Sequence, residues 1–192
     1  MKNFKYPPRK ALFAPGIKLD DPRLSARVWW LKKFLDSLAS KDFLGRLARG
    51  KHYAISGQVT KLSINRNHVE AIVIGTRSQG YNVTIDFRTG EAKTHEQIAS
   101  EIRREPILLS RLLIGDMPTE IESIFSSHNL DLFPGGKLGE GLYDMRTNCS
   151  CPDYRNPFKH SFAVLYILAE KIARDPSLLL TLRGFDLEEL TI

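Results

Sequence analysis

Apolar side chains recur at helical spacing early in the chain. Val28, Leu31, Phe34, Leu35 and Leu38 fall on one stripe, which predicts a helix over residues 26–39 with Ser25 placed to cap it. Trp29 and Trp30 are adjacent, so at most one shares that stripe. The other must cross to a neighbouring element or lie at the surface, and core packing outweighs base stacking as their role. A second helix is predicted over residues 42–55, with Phe43, Leu47 and either Tyr53 or Ala54 on its buried side. Gly50 interrupts it, and Ser56-Gly57 ends it.

The period then shifts to two. Val59, Leu62 and Ile64 lead to a turn at Asn65-Arg66-Asn67; Val69, Ala71 and Val73 alternate with polar or outward positions, as do Tyr81, Val83, Ile85 and Phe87. These β-branched runs predict three antiparallel strands joined by hairpins. Three helices follow: one capped by Thr94 and running to about residue 104, one begun by Pro106 and reaching Gly115, and one begun by Pro118 and ending near His128. Pro134, Gly135, Gly136 and Gly139 mark a loop, and residues 142–148 read as a strand. Asn156-Pro157 opens a helix over residues 158–173, and Asp175-Pro176 starts a short one that stops at Gly184.

The expected class is therefore α+β: helices plus a small antiparallel sheet, then a C-terminal unit with a long helix. The expected organisation is a basic, proline-containing lead-in over residues 1–26, an α+β domain over 27–137 and a C-terminal unit over 138–192.

Composition agrees with an ordinary soluble protein, at 42% hydrophobic and 26% charged residues. No apolar run approaches the ~20 residues of a membrane helix. The first fifteen residues hold no continuous apolar stretch of the secretory kind, so the expected location is the cytoplasm, away from membranes. The formal net charge is +6, unevenly spread. Residues 1–51 carry 13 Lys and Arg against four Asp, whereas the remainder carries 15 basic and 18 acidic residues. A basic end of this kind attracts polyanions, nucleic acid foremost. Arg9, Lys10, Lys32, Lys33, Arg46, Arg49 and Lys51 are candidate phosphate contacts, joined by Lys159 beside the cysteine segment.

The chain has two cysteines, Cys149 and Cys151. A disulfide across one intervening residue closes a strained ring, which leaves a buried thiol pair, a redox pair or a metal pair. Cys-x-Cys presents two sulfurs from one tight turn, and His160 lies in the first turn of the helix that Pro157 is expected to open. Two thiolates and one imidazole suit zinc and disfavour magnesium or calcium. A fourth ligand would be water, Asp153 or a distant histidine such as His128. Spacing alone leaves a metal-free reading equally open, with the cysteines as small core residues and His160 in a local hydrogen bond.

The segment Cys149-Ser150-Cys151-Pro152-Asp153-Tyr154, followed by Asn156-Pro157 and Lys159-His160 before the apolar run 163–170, resembles the SWIM zinc finger of bacterial and archaeal proteins. Arg174-Asp175-Pro176-Ser177 and residues 178–184 extend the likeness, as do residues 46–53, Ser56-Gly57-Gln58-Val59, Gly115-Asp116-Met117-Pro118 and Leu132-Phe133-Pro134. The resemblance covers nearly all of residues 27–190. It implies a ββα-like zinc module with ligands at Cys149, Cys151 and His160. The family's third ligand, a cysteine, would fall at position 158, where this chain has Phe158. Either zinc is held by three protein ligands, or zinc has been lost and the fold kept.

The resemblance further implies a non-enzymatic protein that binds DNA or a protein partner, in association with a helicase-like ATPase. The competing expectation is a protein–protein adaptor without zinc or nucleic-acid contact. A catalytic Cys–His pair lacks a visible orienting group. Gly135-Gly136 lacks the Lys-Ser/Thr of a phosphate loop, and His52, His68 and His95 are scattered.

Overall fold

The computed structural model of the chain describes residues 10–21, 28–39, 43–134, 144–154 and 156–191. The alternating runs form β1 (Val59–Asn65), β2 (His68–Val73) and β3 (Tyr81–Phe87), paired antiparallel through hairpins. The first hairpin turns at Arg66, whose φ of 49° is the left-handed value tight turns require. A fourth strand, β4 (Met145–Cys149), runs antiparallel to β3 and completes a sheet of order β1-β2-β3-β4. Alternation then sorts the side chains: Val69, Val73, Val83, Ile85, Phe87 and Met145 face the core, while Lys61, Glu70, Asn82 and Arg146 face outward.

Helix α6 (Lys159–Arg174) packs against the sheet's inner face. Phe162, Ala163, Val164, Leu165, Ile167, Leu168 and Ala169 are all buried, so the helix has almost no solvent side and forms the centre of the core. Helix α1 (Trp29–Leu38) packs on it, and both tryptophans serve the core by different routes: Trp29 Nε1 donates to the Met117 carbonyl and Trp30 Nε1 to the Ile172 carbonyl, each at 3.1 Å. Helix α2 (Leu44–Ile55) crosses α6 at Gly50. A Cβ on Gly50 would lie 2.4 Å from the Phe162 Cβ and 2.9 Å from the Lys159 carbonyl oxygen. The glycine read as an interruption is thus a close-approach point inside an intact helix.

Several boundaries differ from expectation. Helix α1 begins at Trp29 after an extended Val28, and Ser25 and Asp42 lie outside the described residues. Helix α3 (Ala92–Arg103) starts after Glu91, so Thr94 sits in its first turn and is not the cap. Helix α4 (Pro106–Leu113) agrees, while α5 (Glu120–Ser127) starts two residues beyond Pro118. Helix α6 has Phe158 as its extended N-cap, and Pro157, in a cis peptide bond with Asn156, precedes it. Extended geometry before a helix start is where proline's fixed φ and missing N–H cost nothing. After α7 (Ser177–Leu182), Gly184 at φ 88° reverses the chain into an unanticipated helix, α8 (Leu187–Thr191).

Two findings change the organisation. Residues 10–21, expected as a weakly ordered lead-in, run extended along the molecule: the amides of Leu12, Gly16, Ile17 and Leu19 donate to Gly75, Gly57, Val59 and Ala54 carbonyls. The carboxylate of buried Glu170 on α6 accepts from the amides of Asp20 and Asp21, which ties down the end of that segment. The expected boundary at 137/138 lies outside the described residues, and the parts on either side share one sheet and one apolar cluster. Among the described residues beyond 143 there is one strand, not two, and it satisfies the open edge of β3.

Candidate metal centre and basic surface

Strand alternation turns Cys149, the last residue of β4, toward the core, where it pairs in register with Val83. Ser150 then locks the strand exit: its amide donates to the Asn82 carbonyl at 3.0 Å, and its Oγ accepts from the Asn82 amide at 2.9 Å. Cys151 follows, also buried. The chain bends through Pro152 and Asp153 into the start of α6, and Thr147 Oγ1 donates to Asn156 Oδ1 across that bend. His160, in the first turn of α6 and 2% exposed, points its Nδ1 at Cys149 Sγ, 3.5 Å away. The three donor atoms of Cys149, Cys151 and His160 all lie within 4.8 Å of one another. They form a Cys/His group that could hold a metal ion.

The donor set suits a tetrahedral ion in its chemistry, and one donor pair does so in its spacing. Bonds of ~2.3 Å to sulfur and ~2.0 Å to nitrogen put sulfur and nitrogen about 3.5 Å apart around zinc. The Cys149–His160 separation has that value. Among the described residues no fourth His, Cys, Asp or Glu joins the group. His128, one of the candidates for that place, binds Glu101 instead, with Nε2 2.8 Å from Oε2. Asp153 is near enough to act on the imidazole's charge. Phe158 at the helix N-cap is buried and adds apolar surface where the resembled family has its third ligand.

Burial keeps Cys149 and His160 uncharged when no metal is bound. Burial pushes the Cys149 thiol up to about 12, with the Cys151 backbone amide and Lys159 opposing the rise and the Cys151 side chain adding to it. Burial likewise pushes His160 down to about 4, with Lys159 adding to the shift and Asp153 resisting it. A metal taking Cys149 as a ligand must therefore displace its thiol proton, so its affinity rises with pH.

Sequence reasoning missed the walls of this group. The His160 ring stacks on Tyr81 of β3, with centroids 4.8 Å apart, and makes a T-shaped contact with Tyr53 of α2 at 5.3 Å. Gly75 comes so close that a Cβ there would lie 3.2 Å from His160 Nε2, and that nitrogen has no hydrogen-bond partner. Tyr81 was legible as an inward strand position and Tyr53 as a buried helix position, but nothing local paired either with a histidine far along the chain.

The basic candidates divide into two groups. Lys32 and Lys33 are engaged, with Asp36 and Glu122, each at 2.6 Å. Arg46, Arg49 and Lys51 lie on α2; Arg49 Nε donates to the Gly45 carbonyl at 3.0 Å, and Lys51 Nζ sits 6.0 Å from the Tyr166 ring centroid. Lys159 begins α6 beside the cysteine group, and Lys10 lies on the ordered N-terminal segment, whereas Arg9 lies outside the described residues. Of the remaining histidines, His52 is exposed, His68 is bound to Asp86 and Glu70, and His95 stacks on Phe185. No helix among the described residues is long and apolar enough to cross a membrane.

No family profile matches the chain, and no solved structure does. A protein of Mycobacterium tuberculosis (strain ATCC 25618 / H37Rv), the uncharacterized protein Rv2102, is 34% identical over 193 residues. The alignment takes in 99% of this chain and 68% of the relative. At that identity and coverage, the chain belongs to the same protein family as the mycobacterial protein.

Proposed function

We propose that this chain is a non-enzymatic SWIM-type module in which Cys149, Cys151 and His160 hold one zinc ion and a basic surface binds nucleic acid. The observation that carries the reading is the convergence of two buried sulfurs and one imidazole nitrogen within 4.8 Å, from a strand end and a helix start. Zinc here is structural: it ties the edge strand β4 to the first turn of α6 and supplies no reaction. Water or Asp153 completes the coordination. Arg46, Arg49, Lys51 and Lys159 neutralise phosphates, with Lys32 and Lys33 joining once released from surface ion pairs worth about 0–1 kcal/mol. A helicase-like ATPase is the class of partner that the resemblance implies, and the cytoplasm is the expected location.

The test is metal content after purification in excess zinc, followed by titration with single- and double-stranded oligonucleotides at two salt concentrations. One zinc per chain, lost in Cys149→Ser, supports the module; no zinc at any loading removes it. Oligonucleotide affinity should fall steeply with salt, as counterion release requires.

One observation favours a second reading. Phe158 is buried beside a group with three protein donors, and the Cys149 thiol is held protonated without metal. A zinc-free adaptor, with the cysteines as core residues, is the function if neither zinc nor oligonucleotide binds.

A further inference from the structure

Next to the cysteine–histidine group is a cleft of about 680 Å³, a size within the ~300–1,000 Å³ of small-molecule sites. Lys10, Arg49, His52 and Lys159 line it, together with Tyr53 and Gln58, and no carboxylate does among the described residues. These bases come from three places: the N-terminal extended segment, helix α2 and the first residue of α6. Unlike Lys32 and Lys33, which are held by Asp36 and Glu122, these bases face a cleft whose described lining has no acidic side chain. Arg49 spends its Nε on the Gly45 carbonyl, which aligns the guanidinium and leaves its terminal nitrogens free to donate. Positive side chains gathered around a concave surface with no carboxylate in its described lining form a site for an anion.

Gln58 narrows the ligand. It is 7% exposed, and its Nε2 donates to the Leu12 carbonyl at 3.1 Å, which fixes the amide's orientation. Its Oε1 is then a buried acceptor without a hydrogen-bond partner. A hydroxyl donor on a ligand in the cleft would give that acceptor its missing partner. Inorganic phosphate satisfies the bases but is small for the cleft. The half-buried Tyr53 ring, in T-shaped contact with His160, adds an aromatic wall of the kind that bases pack against.

We propose that the cleft bounded by Lys10, Arg49, His52, Lys159, Tyr53 and Gln58 binds a hydroxyl-bearing phosphate monoester of nucleotide type. The same chemistry occurs in a free mononucleotide and at the phosphorylated end of a nucleic-acid strand. This deepens the nucleic-acid reading by naming where a phosphate sits, and it does not require zinc.

Isothermal titration of the full chain in low salt tests it, with adenosine 5′-monophosphate, adenosine and inorganic phosphate as probes. A 5′-phosphorylated single strand and its unphosphorylated counterpart form the second arm. The nucleotide should bind more tightly than either fragment, and the R49Q/K159Q double variant should weaken it tenfold or more, as expected for lost charge-assisted contacts. Both positions lie at the rim, and an unchanged melting temperature verifies the variant's fold; K10Q, on a different segment, gives an independent loss. A preference for the phosphorylated strand assigns the cleft to strand ends, and its absence, with nucleotide binding intact, assigns it to free nucleotides. No binding of the nucleotide, binding no tighter than that of its fragments, or equal binding by wild type and double variant overturns the proposal. Oligonucleotide binding that survives in the double variant while the nucleotide arm fails leaves the nucleic-acid reading standing without this cleft. Nucleotide binding without any oligonucleotide binding does the reverse.

Discussion

Replacing Gly50 by alanine sets two effects against each other. Alanine in the middle of a helix is favoured over glycine by about 0.5–1 kcal/mol. Against this, the new methyl would sit 2.4 Å from the Phe162 Cβ, 2.9 Å from the Lys159 oxygen and 3.0 Å from the Ala163 nitrogen. Carbon atoms rest at about 3.5–4.0 Å, so α2 and α6 must part by more than about 1 Å at their crossing. Two of the three obstacles are backbone, which cannot rotate away. Overpacking of this kind costs about 1–3 kcal/mol, and the rigid neighbours place Gly50→Ala at the upper end. The net expectation is a loss of about 2 kcal/mol, or roughly 4–8 °C in melting temperature for a chain of this size. Gly45→Ala is the matched control: the residue is in the same helix, and nothing lies within 4 Å of its would-be Cβ. That variant should melt at or slightly above the wild type. Thermal unfolding followed by circular dichroism reads both. A Gly50→Ala protein as stable as Gly45→Ala would refute the reasoning, since it would mean the two helices do not meet at this point.

Phe158→Cys should retain zinc at chelator concentrations that strip the wild type, because a third thiolate completes a structural ligand set; equal stoichiometry and equal chelator resistance would sink that expectation. Arg183 is fully buried, donating to the Leu132 and Arg88 carbonyls, so Arg183→Met should cost about 1–3 kcal/mol by leaving buried acceptors unpaired, while Arg88, 3.6 Å from Asp144, keeps a cation beside that carboxylate. Urea denaturation checks this, and an unchanged midpoint would count against it. His95 has its pKa lowered by burial and by Arg66, so the folded state resists protonating it. Its neutral form contributes stability above its unfolded pKa of about 6.5, and that contribution is lost as pH falls through the folded value. The stability gap between wild type and His95→Phe, measured in urea at pH 7.5 and 5, should therefore shift in the variant's favour at the lower pH; a gap independent of pH would count against it.

Local patterns were legible where local physics decides. Period-2 runs around a polar turn set the register of β1 and β2, since a slip by one residue would turn Val69 and Val73 outward. Cys-x-Cys followed by an apolar helix was legible because the donors come from one short stretch. What long-range packing decides was not legible. Gly50 reads as a helix breaker until Phe162 is known to press on it. Residues 142–148 read as a strand without a partner, and the partner is β3, more than fifty residues earlier. The prolines of the N-terminus suggested loose chain, while the hydrogen bonds holding residues 12–19 come from carbonyls that a sequence does not display. Helix α8 is five residues long with two glutamates, too short to carry a period.

Both tryptophans of the chain stand side by side in α1, in a perpendicular arrangement with ring centroids 6.1 Å apart, one indole donating to a carbonyl in the loop before α5 and the other to one on α6. Intrinsic emission therefore watches one helix leave its seat, from two directions at once, and is blind to events at the sulfur cluster. A metal that merely tightens the far end of α6 should leave the emission spectrum still, whereas a metal on which the whole architecture depends should move it when removed.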